Sequence, residues 1–327
     1  MMSRWAVAAV CLVVVAGVAC RANTTPPDRQ SQTTEPSPGE STIRPSPVLE
    51  SPTPYEPRAG EVYPNAKRLA GRFVQALASF DPASGWEKHI ESVVADFDVT
   101  KPVSLAKAMD TLGDSEAPSV GRIVYAQLGG LQPDEIQPTS TSVMVVVEQL
   151  WTDGSSRTVA LDVRLRIKND QWAVSGIGSA GGPPTSRPAA LPDAAKAVLD
   201  NPRIDLPDSA RWDIYRGEIS ADLLAIMDRL AERFNYSVTV LKSGHPKRVF
   251  GTRFVSNHTM GRAVDIWAVG KVPVVRQVAD LESLARRFAR LALDEPLVNE
   301  LGSPWDLGKD SFSNIVHQDH IHIAFDE

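Results

Sequence analysis

Proline sets the strongest limit on how this chain can fold. Of its 327 residues 25 are proline, and two proline-rich stretches interrupt any continuous core. Residues 21–60 carry Pro-Pro, Pro-Ser-Pro and Ser-Pro-Thr-Pro steps among Ser and Thr, with few apolar side chains. Such a segment buries too little surface to offset its ordering entropy, so it is expected to be an extended, partly polyproline tether. The second stretch, residues 179–192, begins Ser179-Ala180-Gly181-Gly182-Pro183-Pro184 and closes on Pro192, a linker composition. Folded structure is thereby expected in two domains, 61–178 and 193–327, each of ordinary domain size.

The first 20 residues read as an export signal: Arg4 supplies charge, and residues 5–19 are nearly all apolar but too short for a confident membrane span. Cys20 follows Gly17-Val18-Ala19 and opens the polar tether, which resembles a bacterial lipoprotein processing site with Cys20 as the lipidated residue. Gly17 departs from the Leu usual three positions earlier, and plain secretion is the alternative. Cys11 and Cys20 are the two cysteines, and Cys11 lies inside the signal, so the mature protein has no internal disulfide. The expected location is the cell envelope, with a lipid anchor on the outer face of the cytoplasmic membrane. A net charge of −6 argues against nucleic acid as a partner, because phosphate neutralisation needs clustered Lys and Arg.

Both domains read as α+β. In 61–178, Leu69, Phe73, Leu77 and Phe80 recur at helical spacing. A β-branched run from Ser142 to Trp151, a turn at Thr152-Asp153-Gly154-Ser155, and alternation of Leu161, Val163, Leu165 and Ile167 with Asp162, Arg164, Arg166 and Lys168 predict an antiparallel meander with a half-buried strand. Asn169-Asp170 turns the chain into a last strand at Gln171. Helices followed by such a meander resemble the cone-shaped fold of the nuclear transport factor and ketosteroid isomerase group, small domains of which occur in exported actinobacterial proteins. No motif in this region points to chemistry. In 193–327, Ser220 is placed to cap a helix through about Phe234, strands are expected at 236–241, 263–269 and 320–325, and a long helix from about Val275 to Leu293.

Histidine marks the chemistry. Of six histidines, five lie between His245 and His322, and three crowd into His317-Gln318-Asp319-His320-Ile321-His322. Residues of equal parity on a strand share a face, so His320 and His322 are expected side by side, as around a cation or as a ligand beside an acid–base group. Upstream, Ser256-Asn257-His258-Thr259-Met260-Gly261-Arg262-Ala263-Val264-Asp265 carries a loop histidine, a glycine suited to a turn, and a carboxylate flanked by Val264 and Ile266. A charge there is costly unless paired or metal-bound. Two neutral imidazoles and one carboxylate suit a catalytic zinc with a fourth position open to water.

The pattern Ser-x-His-x-x-Gly-x-Ala-x-Asp with a terminal His-x-His resembles the signature of the D-alanyl-D-alanine metallopeptidase, lysostaphin and sonic hedgehog group, nearest the D-alanyl-D-alanine carboxypeptidase and peptidoglycan L,D-endopeptidase branch. The likeness covers about residues 210–327. It implies a zinc-peptidase domain with a small antiparallel sheet and flanking helices, zinc held by His258, Asp265 and His322, Asp319 as general base, and His320 as a transition-state group. In a regular strand Asp319 and His322 face opposite ways, so the base is Asp319 only where the backbone still turns, and otherwise His320. Where the group usually has Ser-Gly-Tyr-Arg, this chain has Ser243-Gly244-His245-Pro246. Arg248 is the candidate replacement for the substrate-binding arginine, and Ser256 either binds substrate or holds the loop of His258. His245 and His317 are read as flanking groups.

The resulting expectation is a zinc-dependent hydrolase cleaving an amide bond in peptidoglycan stem peptides. The alternatives are a non-catalytic metal-stabilised module that binds wall peptides, favoured by the missing arginine, and a structural envelope scaffold whose middle domain binds a partner.

Overall fold

The computed structural model describes residues 49–113, 117–133 and 138–326. The export signal, Cys20 and the tether through residue 48 lie outside the described residues. Those described fall in one compact mixed α+β unit, and no helix among them is long and apolar enough to cross a membrane.

The end of the expected tether is held by the first helix. α1 (Pro64–Ala78) starts with Pro at its first turn, where a missing N–H costs nothing. The Tyr55 amide donates to Gln75 Oε1 at 3.1 Å, and Glu56 pairs with Arg68 and Arg72. Aromatic and charged residues near the end of the proline tract thus dock it. α2 (Trp86–Asp96) and α3 (Ala106–Leu112) follow.

Four antiparallel strands then form a meander in chain order: β1 (Ser119–Pro133), β2 (Pro138–Trp151), β3 (Ser156–Lys168) and β4 (Gln171–Ala180). Asn169 and Asp170 both have positive φ, 52° and 60°, as a two-residue hairpin turn matched to strand twist requires. Phe73, Leu77, Val145, Leu161 and Val163 share one core between α1 and the sheet.

β3 is half-buried as expected at Arg164, Arg166 and Lys168, and departs from that pattern at Asp162, near which the second face is covered too. Ala160 N donates to Ser209 Oγ and Thr158 N to Asp208 Oδ2, both on α5 (Asp208–Tyr215). Asp162, farther along the strand, is fully buried and accepts from Ser142 Oγ at 2.6 Å and Arg164 Nε at 2.8 Å. Alternation of polar residues marked the face, and Asp162 is where it did not report exposure.

The C-terminal part adds α4 (Asp193–Asp200), β5 (Ile204–Asp205), α5, and α6 (Ala221–Ala231), which Ser220 caps through the Asp222 amide. β6 (Tyr236–Val240), β7 (Ala263–Val269), β8 (Val272–Pro273), α7 (Leu284–Leu293), β9 (Glu300–Gly302), β10 (Ser311–Phe312) and β11 (Ile321–Ala324) complete it. The sheet runs β10-β9-β11-β7-β6-β5, with β8 beside β7. The long helix expected from Val275 is shorter. Residues 274–276 form a single 3₁₀ turn, and α7 begins at Leu284 because the Ser283 side chain caps it by accepting from Arg286 N. Register places the functional residues: β11 pairs antiparallel with β7 so that His322 stands directly opposite Asp265, where facing Cβ atoms lie about 5 Å apart.

Candidate metal centre

His258 is aimed by a tight turn. The Gly261 amide donates to His258 O at 3.0 Å and Arg262 N to Asn257 O at 2.9 Å. Gly261 has φ +69°, and a Cβ there would meet Glu218 O at 2.1 Å, so the turn admits only glycine. Ser256 Oγ accepts from His258 N at 3.3 Å and lies 3.5 Å from His245 Nδ1. The serine thus holds the loop, and it also lines the cleft described below.

Three atoms converge. His258 Nε2 is 3.1 Å from Asp265 Oδ1 and 3.2 Å from His322 Nδ1, and the last two are 2.8 Å apart. His258 Nδ1 donates to the Leu241 carbonyl, so in the neutral ring Nε2 presents its lone pair to the other two atoms. A proton or a metal cation satisfies that approach, and ligands of a tetrahedral ion at 2.0–2.1 Å stand about 3.3 Å apart. The donor set fits a metal ion. His245 adds a fourth group: it, His258 and Asp265 present ligand atoms within 4.8 Å of one another and could hold a metal.

Electrostatics agree. Burial pushes the Asp265 carboxyl up, but His258 and His320 beside it, with hydrogen bonds from His258 and His322, hold it well below the usual range. Burial opposes charge on His322 as well, yet hydrogen bonds to Asp265 and Glu300 carry it up to about 10. Metal binding there displaces a proton. Burial, then the neighbouring imidazoles, holds His245 and His317 well below the ordinary histidine value.

Asp319 ends the 3₁₀ turn Val316–Gln318, before β11 begins, so the backbone does turn there. It turns the carboxylate away from the three converging atoms. Oδ1 accepts from His320 Nδ1 at 2.6 Å, while Oδ2 takes the Leu128 amide at 2.9 Å and the Lys67 ammonium. Asp319 is completely buried. Burial would raise it, but Lys67 and then His320 bring it down to about 2. His320 lines the cleft, with Nε2 4.0 Å from Asp265 Oδ2.

Several contributors come from the half with no recognisable chemistry. Lys67 of α1 is wholly enclosed between Glu61 and Asp319, and Gln127 of β1 donates Nε2 to Asp265 Oδ2 at 2.6 Å. Tyr125 donates its hydroxyl to Asp319 O at 3.0 Å and stacks on Trp267. The available signal was a polar residue in an apolar setting. Lys67 shares the buried stripe of Ala70, Gly71 and Val74, and Gln127 interrupts the apolar run 123–128. Arg248 is not brought to the site: it is exposed, donates to Arg253 O, and does not line the cleft.

The converging atoms open onto a cleft of about 490 Å³, walled by residues 128–131 of β1, the 249–257 loop, Phe312, Val316 and His317, with Glu300 and Asp326 at its edge. This is within the usual size of ligand sites. No protein-family model, curated protein or solved structure matches the chain.

Proposed function

We propose that this protein is a zinc-dependent hydrolase that cleaves an amide bond in peptidoglycan stem peptides, exported and held at the membrane by lipid on Cys20. The observation that carries the reading is the mutual approach of His258 Nε2, Asp265 Oδ1 and His322 Nδ1 to within 2.8–3.2 Å on the wall of a cleft. Those three are the ligand set. His245 is left out because its ring stacks on His258 at 3.8 Å and 19°. In-plane lone pairs of near-parallel rings stacked face to face do not meet on one ion. Two imidazoles and a carboxylate with an open position favour zinc.

Bound zinc supplies polarisation of the scissile carbonyl and a lowered pKa for water. The protein's own acid–base group is His320, in place of the Asp319 suggested by the sequence pattern. Asp319 orients the ring through Nδ1, as a buried carboxylate fixes a catalytic tautomer. His320 Nε2 takes a proton from water as the C–O bond forms, and returns it to the leaving nitrogen as the C–N bond breaks. The N-terminal helices and meander, read as a cone-like scaffold, support this site.

Metal analysis of protein starting at residue 21, purified without added metal, is expected to find zinc. Digestion of purified peptidoglycan is expected to release peptide fragments and to stop with chelator. Zinc without any release would replace this reading with the metal-stabilised binding module. Mass spectrometry of the native N-terminus tests the lipid on Cys20, and an unmodified terminus well downstream means plain secretion.

A further inference from the structure

The cleft beside the ligand atoms has a one-sided charge. Among the described residues that line it there is no lysine or arginine, whereas Glu300 and Asp326 both line it. Asn257 ties these two together, its Nδ2 donating to Glu300 Oε2 at 2.7 Å and to Asp326 Oδ1 at 3.3 Å. Arg248 is turned onto the Arg253 carbonyl. The opposite character comes from the 249–255 loop, whose Val249, Phe254 and Val255 stay 48%, 66% and 53% exposed while lining the cleft. Exposed apolar side chains gathered on a cavity wall mark a surface that a ligand covers.

Position makes the charge selective. A peptide cleaved at its last bond places a free carboxylate one residue beyond the scissile carbonyl, roughly 3.5 Å of extended chain. Glu300 Oε1 stands 3.6 Å from His322 Nε2, the ring nitrogen remote from the ligand atom, so it lies roughly one to two residues of extended chain beyond the converging atoms. A terminal carboxylate at that edge meets two carboxylates and no lysine or arginine, with His322 and its metal already faced by Glu300 and Asp265, whereas an amine meets both acids.

We infer that the cleft takes a peptide carrying a free cationic amine, with its bound amide internal to the chain, and discriminates against a peptide ending in a carboxylate beside that bond. The amine faces Glu300 and Asp326, and the apolar part of the peptide lies on Phe254 and its neighbours. The cleavage arm of this inference rests on the hydrolase reading above; the binding arm does not.

The test uses zinc-loaded protein from residue 21 and four fluorescent lysine-containing alanine peptides: C-terminal carboxylate or amide, side-chain amine free or acetylated. Binding by anisotropy and cleavage by chromatography are read separately. The amidated, free-amine peptide is expected to bind at least roughly tenfold more tightly than the carboxylate-ended, acetylated one, since like-charge juxtaposition is strongly penalised. Asp326→Asn and Glu300→Gln are each expected to shrink the amine preference. Asp326→Asn is the cleaner variant, because Glu300 faces His322. Equal or tighter binding of the carboxylate form overturns the inference, as does indifference to acetylation or no binding of any peptide up to about 1 mM. The expected binding order without cleavage sinks the hydrolase reading and leaves this one standing. Cleavage with a preference for the carboxylate form does the reverse.

Discussion

The two halves of the described chain place their polar residues differently. In 193–327 the histidines and Asp265 lie in tight sequence patterns, and the sheet register brings them together, with His322 opposite Asp265. In 61–178 nothing is patterned for chemistry, yet Lys67 and Gln127 are driven through an apolar interface to end on Asp319 and Asp265. A site assembled from one half alone would leave the Asp319 carboxylate buried without its ammonium. The contrast teaches that the candidate ligand residues are marked by local patterns and joined by sheet register, while their support is carried by single polar residues from the other half.

The largest test is removal of a ligand. Asp265→Ala is expected to abolish tight metal binding, measured by competition with a chromophoric chelator, because only two imidazoles remain of the three-ligand set. Retained affinity would mean that the C-terminal half does not hold the metal in the way its register suggests.

Lys67→Met probes the other half at nearly the same scale. It leaves Glu61 and Asp319 enclosed without their cation, and breaking a buried pair in this way costs about 3–5 kcal/mol. Denaturant titration reads the loss. A change within 1 kcal/mol, on the order of a surface pair, would reduce the N-terminal half to a passive neighbour.

Acid sharpens the same comparison. Asp319 sits at about 2, below its ordinary 3.8, so its contribution is present above the unfolded value and disappears as pH falls through the folded one. The loss amounts to about 2 kcal/mol, read from stability between about pH 4 and pH 2. In Lys67→Met the fall is expected to begin at higher pH, since Lys67 is the largest of the groups lowering Asp319.

Gln127→Ala is expected to keep the fold and weaken metal affinity by about 10- to 100-fold, as when a partner orienting a ligand is removed. Unchanged affinity would confine the metal's support to the C-terminal half. The smallest effect belongs to Arg248→Ala: within about 0.5 kcal/mol in stability, as for exposed positions, with no change in peptide binding. A substantial loss of binding would restore the role its sequence position suggested.

Much was legible without coordinates. The turn of His258 and Gly261 and the run into Asp265 rest on hydrogen bonds and a positive φ within ten residues, and that much is local, although Glu218 O also bars a side chain at 261. The β2–β3–β4 meander was equally visible, because alternation and an Asn-Asp turn are local too. Two things were decided only by tertiary structure. Asp162 is buried beside the stretch of β3 that α5, from the other half, contacts at Thr158 and Ala160, which no periodicity reports. The start of α7 at Leu284 was by contrast a local signal, the Ser283 cap. Asp319 points to Lys67 and hands the cleft to His320, because a buried carboxylate turns toward whatever cation is within reach, and that cation lies 252 positions away in the chain. Sequence alone determined which groups are available for chemistry. The division proposed for them, into ligand, proton carrier and support, rests on packing, because the cost of burying charge is settled only once both halves close over it.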